Sequence, residues 1–558
     1  MYPSTLAKRG TILLFLAFIA FYLYGLGHLP LLGPDEPRYA QVAREMLLRH
    51  DLITPTLGGH LWFEKPALLY WMMIGSFKLF GVSEWSARLG PALSGLLTIA
   101  AVWWIGRRVE RFSSDVSGLG FWSALVAGTT IGIVVFSKAA SFDIVVTMTT
   151  TWALGFFIGA ELEEDARRRL RLLAGFYVFV GVSLLAKGLV GIVVPFGVVG
   201  AYYILRAKWP SRTVLLSLLW GMPLAIVVAA IWYAPIISRH GWLFIDQFFI
   251  QQHFARFLTD KYHHSAPVYY YFLIFIPLTL PWSAFVIEGI LKAAKRLWRR
   301  DDPLSSDPEN RFRAFTIAWL LLPLVFFSLS SSKLPGYILP VFPGAALIVG
   351  ERLSRLNLRP GSSKWVIRIT AGLCLFVAVG VLVVVGRSGS LPMRDALLMV
   401  TPLVAAGGFG LAWARRGAVS VVITGGATLA TVLIILNCGG AKLAERESTK
   451  HLFQLADARG YSQSPVVGLQ RNDRTPEFYA SGRVAYDADG EAIMYEGVGQ
   501  IVSESRRRQA TVLTLVPVRN VSQFTQLTSV PVDVVGNNGR FALVAVGPPA
   551  RLSADSSQ

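Results

Sequence analysis

Apolar runs of roughly span length alternate with short charged clusters through about residue 440. A helix needs roughly 20 apolar residues to cross about 30 Å of hydrocarbon. Runs of that order fall near 10–31, 88–106, 118–136, 142–160, 173–186, 188–205, 213–236, 268–291, 314–330, 336–351, 366–386, 396–414 and 418–438, predicting about thirteen transmembrane helices. From 441 to 558 the runs shorten. They predict a helix near 442–459, a strand at 466–469, a helix over about 490–508, a strand at 511–516 and a short helix near 519–528. Two closing strands follow around 532–535 and 541–546, with Asn537-Asn538-Gly539 as a hairpin turn. The expected fold is a polytopic α-helical membrane protein, with a transmembrane domain over 1–440 and a soluble α/β domain over 441–558.

One run decides the topology. Residues 66–80 are apolar but only about fifteen long, with Pro66 and Lys78 punctuating them, and they read as a re-entrant or surface-lying helix. The first outer loop then extends from about Leu32 to Arg88 and carries juxtamembrane helices at about 35–82. The first of these, over about 36–49, has Asp35 as its expected N-cap and Pro37 in its first turn. Tyr39, Val42, Ala43, Met46 and Leu47 form its apolar face, opposite Arg38, Gln41, Arg44 and Glu45, as in a helix lying in the membrane interface.

Composition agrees with the membrane class. Hydrophobic residues make up 53% of the 558 and the mean hydropathy is +0.51, more apolar surface than a soluble fold hides. A net charge of +19 would suit nucleic acid. The bases, however, come in clusters between apolar runs: Arg107-Arg108, 167–171, 206–212, 292–313, 352–368 and Arg415-Arg416. That is the positive-inside signal, so the expected partner is a lipid bilayer and no nucleic acid. It places the N-terminus in the cytoplasm and the C-terminal domain outside, in the periplasm of a multi-pass inner-membrane protein. Counting 66–80 as a span would move Arg107, Arg108 and Arg111 outside. Lys8 and Arg9 before the first run look like a signal peptide, but no small-residue cleavage site follows, and the run is expected to stay as a helix. The two cysteines, Cys374 and Cys438, lie in or at the end of apolar runs and support neither a disulfide framework nor a thiolate metal site.

Candidate chemistry collects at the outer ends of the predicted spans. Asp35 and Glu36 open the first outer loop with Arg38 close behind. One helix cap needs one acid, so two acids beside a base at a membrane boundary point toward catalysis. Trp62-Phe63-Glu64-Lys65-Pro66 precedes the dipping helix, where a charge requires a cavity or a partner. Lys65 suits a phosphate and Glu64 a sugar or a metal. Asp143, Lys187, Lys333 and Tyr337 fall on the same predicted side; snorkelling explains one such lysine but not the set. The loop 238–267 adds Arg256, His253, His263 and His264. Imidazole with a carboxylate suits Zn or Mn, which makes Glu64 and His253 the candidate ligands, without an HExxH motif to support them. Nothing else in the chain calls for a cofactor.

Four segments together carry a resemblance: Gly33-Pro34-Asp35-Glu36-Pro37-Arg38-Tyr39-Ala40, Trp62-Phe63-Glu64-Lys65-Pro66, Leu185-Ala186-Lys187-Gly188 and Ser332-Lys333-Leu334-Pro335-Gly336-Tyr337-Ile338-Leu339-Pro340. The chain resembles the bacterial lipid A aminoarabinose transferases, within the C-type glycosyltransferases that use polyprenyl-phosphate-linked sugars. The likeness covers about residues 10–350. It implies transfer of 4-amino-4-deoxy-L-arabinose from undecaprenyl phosphate to a lipid A phosphate at the periplasmic face. Asp35, Glu36 and Asp143 would then be catalytic. Arg38, Tyr39, Glu64, Lys65, Lys187, Arg256, Lys333 and Tyr337 would bind substrate, the bases taking phosphates and Asp35 the sugar. Two other readings stay open: transfer of another lipid-linked sugar, such as mannose, to a protein hydroxyl, and a lipid-linked sugar transporter. The transporter should show internal repeats and mid-span charges, and the chain has no clear repeat.

Overall fold

The computed structural model describes residues 5–112, 116–255, 266–298, 307–355, 364–470, 473–526 and 530–547. Contacts divide the chain into two compact units.

The first unit comprises Met1–Leu26, Phe63–Leu69 and Arg88–Ile435 and is helical. The helices in chain order are α1 (Thr5–Leu23), α2 (Asp35–Leu48), α3 (Leu68–Phe80), α4 (Glu84–Val109), α5 (Leu119–Thr129), α6 (Ile131–Ser137), α7 (Phe142–Glu161), α8 (Ala166–Lys187), α9 (Val190–Leu205) and α10 (Arg212–Phe244). After a wide helical stretch at Ile245–Ala255 come α11 (Tyr270–Leu278), α12 (Ser283–Trp298), α13 (Pro308–Leu329), α14 (Phe342–Ser354), α15 (Lys364–Ser388), α16 (Met393–Ala412) and α17 (Gly417–Cys438). Helix α2 and most of α3 belong to the second unit.

Among the described residues, eight helices are long and apolar enough to cross a membrane: α4, α7, α8, α10, α13, α15, α16 and α17. The rest of the thirteen predicted spans take other forms. Residues 118–136 fold as the α5–α6 pair, bent by 60°, and 268–291 as α11–α12, bent by 119°. The bends follow from local chemistry that leaves hydropathy unchanged. Thr129 and Thr130 return their hydroxyls to the carbonyls of Leu125 and Val126, and Pro281 has no N–H to continue a helix. The two breaks meet, with the Ile131 N–H donating to the Leu280 carbonyl at 3.0 Å and Trp282 Nε1 to Thr129 Oγ1 at 3.0 Å. Backbone freed within a bilayer has to be satisfied by protein in this way. Three further predicted spans are shorter: the apolar part of α1, the 16-residue α9, and α14, whose 13 residues follow a tight 3-10 stretch at Pro335–Val341. Helix α3 has 13 residues, about 20 Å at 1.5 Å per residue, too short for a span.

The basic clusters that mark orientation are tied to acids. Glu161, at the end of α7, accepts hydrogen bonds from Tyr203 and Tyr202 at 2.9 and 3.2 Å. Its carboxylate lies 3.4 Å from Arg169 and 3.9 Å from Arg206, and its carbonyl accepts from Arg311 of α13 at 2.9 Å. Arg313 bridges Glu309 and Glu351 at 2.7 and 2.8 Å, and Arg352 reaches Glu288 at 3.0 Å. A small cleft lies among Lys292, Arg313, Glu351, Arg352 and Arg355. Each of its bases already holds a carboxylate, so this cluster locks helix ends together.

The second unit comprises Gly27–Trp62, Tyr70–Ala87 and Leu436–Gln558. It contains a small hairpin, β1 (Thr56–Leu57) and β2 (His60–Leu61), and a five-stranded sheet built from β3 (Val466–Leu469), β4 (Met494–Tyr495), β5 (Val512–Pro517), β6 (Val532–Asn537) and β7 (Phe541–Val546) in the order β4-β3-β5-β7-β6. The first three strands are parallel and the last pairings antiparallel. Alternation along β5 sends Leu513 and Leu515 to a core with Leu452 and Phe453, and Val512 and Val516 to a core with Ile501 and Phe524. The helices here are α18 (Gly440–Arg446), α19 (Lys450–Ala458), α20 (Pro476–Tyr479), α21 (Val498–Arg508) and α22 (Ser522–Thr525). The predicted helix over 490–508 starts only at Val498, because β4 takes 494–495. The four-residue α20 and the two-residue β4 are too short to leave a periodic signal.

Helix α2 differs from its expected interfacial character. Its supposed polar face is engaged within this unit: Gln41 is buried, Arg44 donates to the Phe478 carbonyl at 2.9 Å, and Glu45 accepts from Thr56 Oγ1 and Gly58 N–H, both at 2.8 Å. The juxtamembrane helices thus pack as one unit with the C-terminal module.

Candidate functional site

Helices α7 and α8 form an antiparallel hairpin through 162–165, so Asp143 in the first turn of α7 and Lys187 in the last turn of α8 reach the same end. Each charge sits where its helix dipole favours it, the carboxylate at an N-terminus and the ammonium at a C-terminus. They form an ion pair. Ser141 Oγ caps α7 by accepting the Asp143 N–H at 3.1 Å, and it donates to Asp143 Oδ2 at 3.3 Å. The Lys187 ammonium also lies 4.4 Å from the centre of the Tyr337 ring, in cation–π range. A Cβ on Gly336 would come within 2.0 Å of Asp143 Oδ2, so the backbone before Tyr337 passes directly against that carboxylate.

Lys333 lies on the same loop. It is 7% exposed, and its ammonium donates to the Ser330 carbonyl at 2.5 Å. Among the described residues it has no carboxylate partner. Tyr271 fixes the next residue from both sides, accepting the Leu334 N–H at 3.1 Å and donating to the Leu334 carbonyl at 3.0 Å. A buried ammonium held only by a carbonyl is a site that favours an anion.

In the second unit the two acids of the first outer loop separate. Helix α2 begins at Asp35 itself, Pro34 holds the cap position, and no side chain caps it. The N-cap expected of Asp35 is therefore absent. Asp35 is exposed, and among the described residues its carboxylate has no hydrogen bond or ion pair. Glu36 turns inward and accepts the Leu32 N–H at 2.9 Å, a closure that Gly33 permits at φ +68°. Of the two acids it is Glu36 whose carboxylate holds the loop backbone. Tyr39 is buried edge-on against Tyr70, with ring centres 6.4 Å apart, and packs α2 on α3. Arg38 lies over the Trp62 ring at 4.9 Å, with its Nε 3.5 Å from Glu477 of α20.

Glu64 and Lys65 are half-buried in the first unit, anchored by Phe63, whose ring meets His240 and Phe244 at 5.1 and 5.2 Å. The side chain of His253, and Arg256, His263 and His264 altogether, lie outside the described residues. Among the described residues no three His, Cys, Asp or Glu side chains gather as a metal site, and Glu64 has no second described ligand. The described residues therefore do not by themselves make up a Zn or Mn site.

Sequence reasoning passed over the turn that holds the first outer loop. Glu477 is buried between Arg38 and Arg474, the latter at 2.9 Å, and burial pushes its carboxyl above the usual range against the pull of both guanidiniums. Phe478 accepts from Arg44 through its carbonyl and stacks under it at 4.1 Å. Tyr479 accepts the Leu31 N–H at 2.7 Å and donates to Glu84 at 3.1 Å. Thr475-Pro476-Glu477 does carry a helix-start signature, Pro in the first turn with an acid behind it. Nothing local indicates that its partners lie more than 400 residues earlier.

Residues 64–237 match the family model described as dolichyl-phosphate-mannose-protein mannosyltransferase. The undecaprenyl phosphate-alpha-4-amino-4-deoxy-L-arabinose arabinosyl transferase of Aeromonas salmonicida is 33% identical over 67% of this chain and 66% of its own length. A similarly named protein of Pseudomonas fluorescens is 32% identical over 64% and 62%. The chain thus aligns with just under two thirds of these relatives. The corresponding Edwardsiella ictaluri transferase is 28% identical over 94% of this chain and 97% of its own. The crystal structure of ArnT from Cupriavidus metallidurans bound to undecaprenyl phosphate superposes with a TM-score of 0.76 at 23% identity, covering 98% of this chain and 99% of that one. That likeness establishes the fold.

Proposed function

The chain belongs to the family of the bacterial aminoarabinose transferases, and from that premise we propose that it moves 4-amino-4-deoxy-L-arabinose from undecaprenyl phosphate to a phosphate of lipid A. The observation that carries the reading is the buried, carboxylate-free ammonium of Lys333 beside the Asp143–Lys187–Tyr337 cluster at the end of the spans. A cation in that setting needs an anion, and in a lipid bilayer the anion most readily supplied is the head group of a lipid whose chains stay in hydrocarbon.

The transfer breaks the bond between the sugar's anomeric carbon and the donor phosphate oxygen and forms one to an acceptor phosphate oxygen. The donor leaves as undecaprenyl phosphate. A phosphate monoester has its second pKa near about 6, so the acceptor is already a nucleophile near neutral pH and needs little help from a base. What the reaction needs is neutralisation of phosphate charge and support for positive charge at the anomeric carbon. Lys333, Lys187, Lys65 and Arg38 are assigned to phosphates, and Arg256 joins them as a basic residue that follows the helical stretch Ile245–Ala255 in sequence. Lys187 becomes available when a phosphate replaces Asp143 as its partner, which frees Asp143 to meet the sugar or its amine. Tyr337 and Glu64 position the sugar. Asp35, exposed and unengaged, is assigned to the anomeric centre. About thirteen spans in the inner membrane, with a cytoplasmic N-terminus and the C-terminal module in the periplasm, complete the reading.

Mass spectrometry of lipid A from cells with and without the chain tests it. The expected outcome is an aminoarabinose adduct only when the chain is present. The family model matched over 64–237 favours a second reading, transfer of a lipid-linked sugar to a protein hydroxyl. Glycosylated protein with unmodified lipid A would select that reading.

A further inference from the structure

We infer that Glu477, on the C-terminal module, is a positioning residue for the transfer reaction, acting through Arg38. The inference rests on the proposed phosphate role of Arg38. Three consecutive residues of α20 hold the first outer loop at three places: Glu477 holds Arg38, Phe478 holds Arg44, and Tyr479 holds Leu31. Of these contacts, only that of Glu477 falls on a side chain assigned to substrate. Its side chain is 1% exposed, and Arg38 is 12% exposed at a separation of 3.5 Å. The Arg38 guanidinium is thereby caught between the carboxylate on one side and the face of Trp62 at 4.9 Å.

A flexible arginine samples many rotamers, and holding one of them in advance lowers the cost of binding a phosphate. A buried carboxylate serves that purpose only if its own charge is balanced, and Arg474 supplies the balance at 2.9 Å. Glu477 therefore divides its charge between Arg38 and Arg474, and orients the first without being committed to it alone. The C-terminal module thus contributes to catalysis by orienting a side chain, without supplying a group that touches substrate.

The test is a double-mutant cycle on the full-length protein in lipid nanodiscs, assayed with undecaprenyl-phosphate aminoarabinose and lipid A. Glu477→Gln keeps the shape and removes the charge. It is expected to raise the donor KM about tenfold with kcat little changed, since a bond made equally in ground and transition states affects KM alone. In the Arg38→Lys background the same substitution is expected to add nothing further, a non-additivity that a merely structural role would not produce. Glu477→Asp, which keeps the charge, is expected to fall between wild type and Glu477→Gln, and it carries the cycle if the glutamine variant does not fold. An unchanged donor KM, or effects of Glu477 and Arg38 that simply multiply, would overturn the inference while an active wild type left the functional reading standing. A well-folded wild type that transfers no aminoarabinose would overturn that functional reading instead.

Discussion

Asp35 and Lys333 pose opposite electrostatic problems, and each predicts its own mutant. Asp35 is exposed, and among the described residues its carboxylate has no hydrogen bond or ion pair, so losing its charge should not disturb folding. Asp35→Asn is expected to lower transfer by about a hundredfold, the scale of a missing acid–base or charge-stabilising group, with an unchanged melting temperature. Full transfer by that variant in a reconstituted assay would remove Asp35 from the mechanism. Lys333 is the reverse case, a charge held inside the protein with no carboxylate partner among the described residues. Lys333→Met is expected to abolish transfer while stabilising the fold by about 1–3 kcal/mol, since an apolar side chain of similar volume no longer bears the desolvation cost. Loss of stability in that variant would mean that the ammonium holds the loop rather than awaiting a ligand. Two adjacent acids, Asp35 and Glu36, could be ranked only after folding, when one proved to hold the Leu32 N–H and the other nothing.

Among the elements, α21 shows how a basic run need not be a binding patch. Of Arg506-Arg507-Arg508, which would suit a polyanionic lipid, two are committed to Glu504: Arg507 donates to it at 2.9 and 2.7 Å and Arg508 at 2.6 Å. Hydrogen bonds from Arg507 first, and then from Arg508, hold the Glu504 carboxyl at about 2, well below its ordinary value. A depressed carboxyl contributes stability that is fully present above its unfolded pKa of about 4.3 and is lost as the pH falls toward 2. The protection of the α21 amides against hydrogen exchange, taken relative to the intrinsic rate at each pH, should therefore fall across that window in the intact protein, and Glu504→Gln should remove this pH dependence. If the two proteins respond to acid alike, the pairing is energetically idle. The α7–α8 hairpin offers the opposite lesson in legibility. Its two helices and short connection are readable from hydropathy, and an antiparallel pair of nearly equal lengths must bring Asp143 and Lys187 to one end.

For the whole molecule, the cationic clusters serve two ends. In the sequence they carry the positive-inside signal from which an orientation is expected, and in the structure they bind helix ends to one another through Glu161, Glu288, Glu309 and Glu351. Glu161→Ala would strand Arg169 and Arg206 without a counter-charge. The expected cost is about 3–5 kcal/mol, seen as a lower unfolding temperature in detergent, and a shift of less than about one degree would show that the network is dispensable. From the chain alone came the membrane class, the eight full-length spans and their approximate limits, and the loops where Asp143, Lys187, Lys333 and Tyr337 gather. Hydropathy and periodicity are properties of neighbours in sequence, and these features are all local in that sense. Only the tertiary structure decided that 118–136 and 268–291 are bent at breaks that satisfy each other, that Glu36 holds the Leu32 N–H while Asp35 is exposed, and that α2 packs in one unit with the module. Those outcomes depend on contacts such as Leu31 with Tyr479, 448 residues apart, and no pattern along the chain encodes which distant partner a buried polar group will find.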